Sequence, residues 1–65
     1  MAQEVFNMDS YYVTWNVKSN SSSIKDAQHA STVKANNERE AIAKVKQNNP
    51  ATRDRMYDFV VRRIG

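Results

Sequence analysis

Few side chains in this chain could run a reaction. His29 is the single histidine, and no base or orienting carboxylate stands beside it in sequence. It is expected to be a half-exposed strand residue rather than a general acid or base. Glu38 and Glu40 are two apart, so on a helix they cannot face each other as a catalytic carboxylate pair must. They read instead as complements to a helix dipole. Asp54 and Asp58 interleave with Arg53 and Arg55 as solvated ion pairs. There is no cysteine, hence no thiol nucleophile, disulfide or zinc knuckle. The one glycine is the terminal Gly65, which excludes a glycine-cradled phosphate. No metal-ligand spacing occurs. The expectation is a non-enzyme with no catalytic residue, no cofactor and no metal.

Binding chemistry is better supplied, and a strand must position it. Residues 11–18 alternate in period two, with Tyr11, Val13, Trp15 and Val17 on one side and Tyr12, Thr14, Asn16 and Lys18 on the other. Aromatic and β-branched residues in that period mark a half-buried strand with one face in a core. A second, weaker strand is expected over 29–35, with His29, Ser31, Val33 and Ala35 sharing a face. The last strand is expected over 57–64, with Tyr57, Phe59 and Val61 toward the core and Asp58, Val60, Arg62 and Ile64 away from it.

Between the second and third strands the pattern is helical. Asn36 or Asn37 caps the helix, with Glu40 three residues after Asn37 as in a capping box. Ala41, Ile42 and Val45 form a narrow apolar stripe. Glu40 and Lys44 are in the favourable i,i+4 order. Asn48-Asn49-Pro50 ends the helix, and a further short turn through Arg55 is admitted. Ser19–Ser23 reads as a polar loop. Ile24–Gln28 is open between one helical turn capped by Ser23 and a ragged strand entry. Residues 1–9 read as an N-terminal arm, either disordered or folded back over the core through Val5, Phe6 and Met8, with a single domain over 10–65.

The fold class that follows is α+β. The β-β-α-β order with a right-handed crossover gives a three-stranded antiparallel sheet in the order 2-1-3, with the helix on one face. The candidate interaction surface is then the other face: Tyr12, Thr14, Asn16, Lys18, Lys34, Val60, Arg62 and Ile64. Tyr12 between Lys34 and Arg62 could stack on a base while the cations meet phosphates, or form a cation–π cluster that only stabilises the sheet. Val60 and Ile64 on that face suit a protein-contact patch, or coverage by the arm. A secondary basic cluster, Lys44, Lys46, Arg53 and Arg55, suits phosphate or an acidic protein, or simply a solvated end.

Composition bounds the rest. Sixty-five residues make one domain near the lower limit for folding without staples. Leucine is absent, so the core must come from valine, isoleucine, alanine, methionine and aromatics, and αL turn positions must come from Asn, Asp or Ser. The net charge of +3 is divided: residues 1–33 carry two Lys against three acids, and residues 34–65 eight Lys/Arg against four. That asymmetry admits a polyanionic partner. No run approaches the roughly 20 apolar residues of a membrane span, and no signal peptide is evident. The initial Met1 reads as the start of a complete small reading frame, and a cytoplasmic location is expected.

Over 11–64 the layout resembles the small inhibitors of host RNA polymerase made by T-odd coliphages. The matching segments are Tyr11-Tyr12-Val13-Thr14-Trp15, Val33-Lys34-Ala35 with Glu40-Ala41, and Phe59-Val60-Val61-Arg62. The layout also resembles the archaeal ribosomal LX family through Thr32-Val33-Lys34-Ala35, Glu40-Ala41 and the Arg53/Arg55 approach to the last strand. The first resemblance implies inhibition by docking on a host enzyme; neither assigns a site residue. The first reading is a protein-interaction module of phage or mobile-element type that modulates a host protein. The alternative is a nucleic-acid or ribosome-binding domain. Oligomeric state is open.

Overall fold

The structure, a computed structural model, describes residues 8–65. The arm expected over 1–9 therefore lies outside the described residues except for Met8 and Asp9. Strand β1 covers Asp9–Val17, β2 Ala27–Ala35, helix α1 Glu38–Asn48 and β3 Met56–Arg63, with a 3-10 turn at Arg53–Arg55 leading into β3. The strands form one antiparallel sheet in the order β2-β1-β3. This is the α+β, β-β-α-β arrangement expected from the element order.

Alternation in β1 is carried through to burial. Tyr11, Val13, Trp15 and Val17 are buried, and with Ala35 of β2 and Ala41 and Val45 of α1 they make the core; Val33, Met56, Phe59 and Val61 pack on its margin. The core is built without leucine: β-branched and aromatic residues fill the pleat, and the two small alanines let helix and sheet approach closely. No buried residue is polar or charged among the described residues.

Strand β1 begins at Asp9, two residues before the regular alternation, and ends at Val17. The uncertain stretch Ile24–Gln28 is turn followed by strand. The Ile24 N–H closes on the Ser21 carbonyl at 3.1 Å, and β2 is already formed at Ala27. Serines do the work that glycine does in other hairpins. Ser19 Oγ accepts from the Ser21 N–H at 3.0 Å, Ser21 Oγ accepts from the Ser23 N–H at 3.2 Å, and Asp26 accepts from the Ser19 N–H at 2.8 Å. Such side-chain-to-backbone bonds mimic backbone turns.

Both ends of α1 are closed by asparagine. Asn37 is the N-cap, its side-chain oxygen accepting from the Glu40 N–H at 2.8 Å. Glu40 reaches back to the Asn36 N–H at 2.7 Å, one residue beyond the usual capping-box partner. At the other end Asn49 Nδ2 donates to the Val45 carbonyl at 2.8 Å, and its backbone N–H donates to the Lys46 carbonyl. Orphan groups at both termini thus find partners before Pro50 turns the chain away.

The third strand departs from the expected pattern at one residue. Asn16 pairs with Tyr57 and Thr14 with Val60, so Asp58 and Phe59 together oppose Trp15. Asp58 has φ 61°, which places an αL residue at a β-bulge. Aspartate is among the few non-glycine residues that tolerate this conformation. The bulge reverses the parity of everything before it. Tyr57, expected toward the core, lies on the open face opposite Asn16, and Met56 takes the core position opposite Val17. Phe59 and Val61 keep their core side, and Val60, Arg62 and Ile64 keep the open side.

Candidate interaction face of the sheet

With α1 on one side, the other side of the sheet presents the even residues of β1 and β2. Register lays out three cross-strand rows: Gln28–Asn16–Tyr57, Ala30–Thr14–Val60 and Thr32–Tyr12–Arg62. Beyond them Ser10 pairs with Lys34, and its carbonyl accepts from the Ile64 N–H at 2.8 Å. Val60, Ile64 and Tyr12 are 59%, 54% and 42% exposed. Thr14 and Asn16 are half-buried between their flanking strands. With Tyr57, 40% exposed, four large side chains with apolar surface therefore stand on a face that no described element covers.

Charge divides this face. Arg62 lies directly opposite Tyr12, and Lys34 lies opposite Ser10, diagonal to Tyr12. The expected grouping of Tyr12, Lys34 and Arg62 at one end is present. Among the described residues the cation–π contact lies elsewhere, between Lys46 and the Phe59 ring at 5.4 Å. The opposite end carries Asp58 and Asp26, with Lys18 near Asp26. Asp58 accepts from Asn16 Nδ2 at 3.4 Å, and the Asp26 carboxylate accepts from the Tyr57 hydroxyl and from the Ser19 N–H. The Tyr57 hydrogen bond, with the Ser19 N–H second, holds Asp26 below its ordinary carboxylate value. The same bond, with burial second, pushes the Tyr57 phenol above its ordinary value.

The Tyr57–Asp26 link is a latch from β3 across β1 to the hairpin loop, and sequence reasoning missed it because Tyr57 was placed on the wrong side. A second tie runs beneath it. The Lys18 N–H donates to the Arg55 carbonyl at 2.9 Å, and Arg55 Nε donates to the Lys18 carbonyl at 3.1 Å. Lys18 thus lies just past β1, anchored through its backbone while its side chain is exposed.

The four residues of the secondary basic cluster do not form one patch. Lys44 Nζ donates to the Lys34 carbonyl at 2.6 Å, at the β2 edge, and reaches Met8 Sδ at 3.7 Å. Lys46 lies over Phe59 of β3, Arg55 is held at Lys18, and Arg53 pairs with Asp54 at 4.0 Å. Two residues apart on a helix, Lys44 and Lys46 diverge to opposite edges of the sheet.

His29 sits on the core side and stacks on Trp15, with ring centroids 5.9 Å apart; Phe59 stacks on the other side at 6.3 Å. This aromatic row is structural packing. Among the described residues no group of three or more His, Asp or Glu could hold a metal ion, no pocket indents the surface, and no helix is long and apolar enough to cross a membrane. Comparison with known protein families, curated proteins and solved structures returned no match.

Proposed function

We propose that this protein is a non-enzymatic interaction module, of the kind a phage or mobile element uses to bind and modulate a host protein. The observation that supports the reading is the open sheet face, where Val60, Ile64 and Tyr12 are exposed around Arg62, with Thr32 and Lys34 on the neighbouring strand. Exposed aromatic and aliphatic side chains interleaved with an arginine are the residue types that protein-contact patches favour. Arg62 and Lys34 beside Tyr12 supply charge through which a partner could be oriented.

The test pairs affinity capture with a surface variant. Wild-type protein is expected to retain one stoichiometric host protein, and Val60→Asp to lose it while keeping its far-UV circular dichroism. Capture that is unchanged in Val60→Asp overturns the assignment to this face. A second reading, nucleic-acid binding, is favoured by the placement of Tyr12 beside Arg62 with Lys34 on the diagonal, a stacking surface with two phosphate-binding cations. It predicts affinity for single-stranded RNA or DNA that falls steeply with salt, because each neutralised phosphate releases counterions. Salt-insensitive or absent binding removes it.

A further inference from the structure

The two edges of the sheet are not alike. Strand β3 carries a bulge at Asp58 and two arginines, Arg62 and Arg63, devices that blunt an edge against further pairing. Strand β2 has none of these between Ala27 and Val33: no Lys, Arg, Asp or Glu, no proline and no register shift. Residues 27–30 are exposed whichever face they occupy.

Hydrogen bonding shows which groups the β2 edge offers. Ser10 and Lys18 bond toward β3: the Ser10 N–H meets the Gly65 carbonyl at 3.2 Å, and the Lys18 N–H meets Arg55. Even residues of β1 therefore serve β3 and odd ones serve β2, as antiparallel ladders require. Because Tyr11, Val13, Trp15 and Val17 pair with Val33, Ser31, His29 and Ala27, the even residues of β2 direct N–H and C=O outward. The Lys34 carbonyl is outward too, and Lys44 Nζ already donates to it. Lys44 closes that end of the edge, and among the described residues Gln28, Ala30 and Thr32 stay open.

We infer that the open β2 edges of two copies of this chain pair antiparallel about a twofold axis at Ala30, joining two sheets into one continuous sheet. In this register Ala30 faces Ala30 of the second copy and Gln28 faces Thr32, using the backbone groups that are open and avoiding the occupied Lys34 carbonyl. Parity is kept, so both helices lie on one side and both open faces on the other. Asp26, exposed and just before β2, comes opposite Lys34 of the second copy, once at each end. Centring the axis on Ser31 or Thr32 instead sets Lys34 against an open strand position and forfeits the charge match.

A pairing of this length buries little side-chain surface, so the association is weak and concentration-dependent. Sedimentation equilibrium from micromolar to millimolar chain is expected to show the mass rising from 7.5 kDa toward twice that value. Ala30→Pro removes an outward N–H without breaking the ladder to β1, and is expected to hold the mass at the monomer value. Lys34→Glu sets Glu against Asp26 and is expected to weaken dimerisation about tenfold.

Register is read separately, because the chain has no cysteine and any introduced thiol is the only one. Ala30→Cys faces its own copy at about 5.5 Å between Cα atoms and is expected to oxidise to a covalent dimer. Gln28→Cys or Thr32→Cys alone lies about 13 Å from its own copy and is expected to stay monomeric, whereas their mixture cross-links. A mass fixed at 7.5 kDa across the range overturns the proposal. So does cross-linking of Gln28→Cys as fast as Ala30→Cys. The pairing uses the sheet edge, so loss of partner capture in Val60→Asp leaves it intact, and a monomeric result leaves the open-face reading intact.

Discussion

At the residue scale, two aspartates carry functions that their exposure conceals. The Asp26–Tyr57 bond links both groups' titration to folding. Asp26 is depressed in the folded state, so its contribution is present above the unfolded carboxylate value and is lost as pH falls through the folded one. Tyr57 is raised, so its contribution is present below the unfolded phenol value of about 10 and is lost as pH rises through the folded one. Urea midpoints measured across pH are expected to fall at both extremes in wild type and to flatten in Tyr57→Phe, which lacks the hydroxyl donor. Asp58 holds φ 61° at the bulge. Asp58→Val is expected to cost about 1–2 kcal/mol, because a β-branched side chain resists αL. Asp58→Gly is expected to be nearly neutral, relief of backbone strain offsetting the lost Asn16 contact. Equal losses in the two variants would overturn the strain argument.

At the element scale, β1 and α1 hold the molecule. Trp15 is 4% exposed and lies between His29 and Phe59, while its buried Nε1 has no hydrogen-bond partner among the described residues. Trp15→Ala is expected to cost about 3–5 kcal/mol in thermal or chemical unfolding, enough to unfold a domain with so small a core. Asn37→Ala removes the side-chain acceptor for the Glu40 N–H and is expected to cost about 1 kcal/mol. Strand β2 supplies a test without mutation. Amides of His29, Ser31 and Val33 bond to β1, whereas those of Gln28, Ala30 and Thr32 point outward. At low chain concentration, hydrogen exchange is expected to alternate along β2, slow at odd positions and fast at even ones. Uniform protection in dilute solution would contradict the edge assignment.

At the scale of the whole molecule, one helix against three strands leaves half of the sheet uncovered. The helix-side face supplies stability and, on the function proposed above, the open face supplies the partner contact, so variants should separate the two properties. Val60→Asp is expected to shift the unfolding midpoint little, since Val60 is 59% exposed, and to abolish partner retention. Val13→Ala is expected to do the reverse at matched folded fraction, losing about 1–3 kcal/mol at a fully buried site while leaving the contact face as it was.

Much of this architecture was legible in the chain because short-range physics dictated it. The alternation of Tyr11, Val13, Trp15 and Val17 specified a strand and its buried side. Asn36 or Asn37, Glu40 and Pro50 bounded the helix, the structure choosing Asn37 as the cap, and element order with crossover handedness specified β2-β1-β3. The open-face positions of Tyr12, Val60, Arg62 and Ile64 followed from parity alone, because no irregularity lies between them and their partners.

What the sequence by itself determined is where the chain alternates and where it stops: fold class, strand order, the region of the helix caps and a sheet face turned away from the helix. The tertiary structure alone decided what depends on register between distant segments. A bulge at Asp58 turned Tyr57 from the core to the open face and brought its hydroxyl to Asp26. The separate packing of Lys44 and Lys46 dissolved the basic cluster, and the bonding of β1 fixed which backbone groups of β2 remain open. Parity survives only as long as pairing is regular. A single aspartate in αL conformation, read from the sequence as an ordinary strand residue, was enough to invert it.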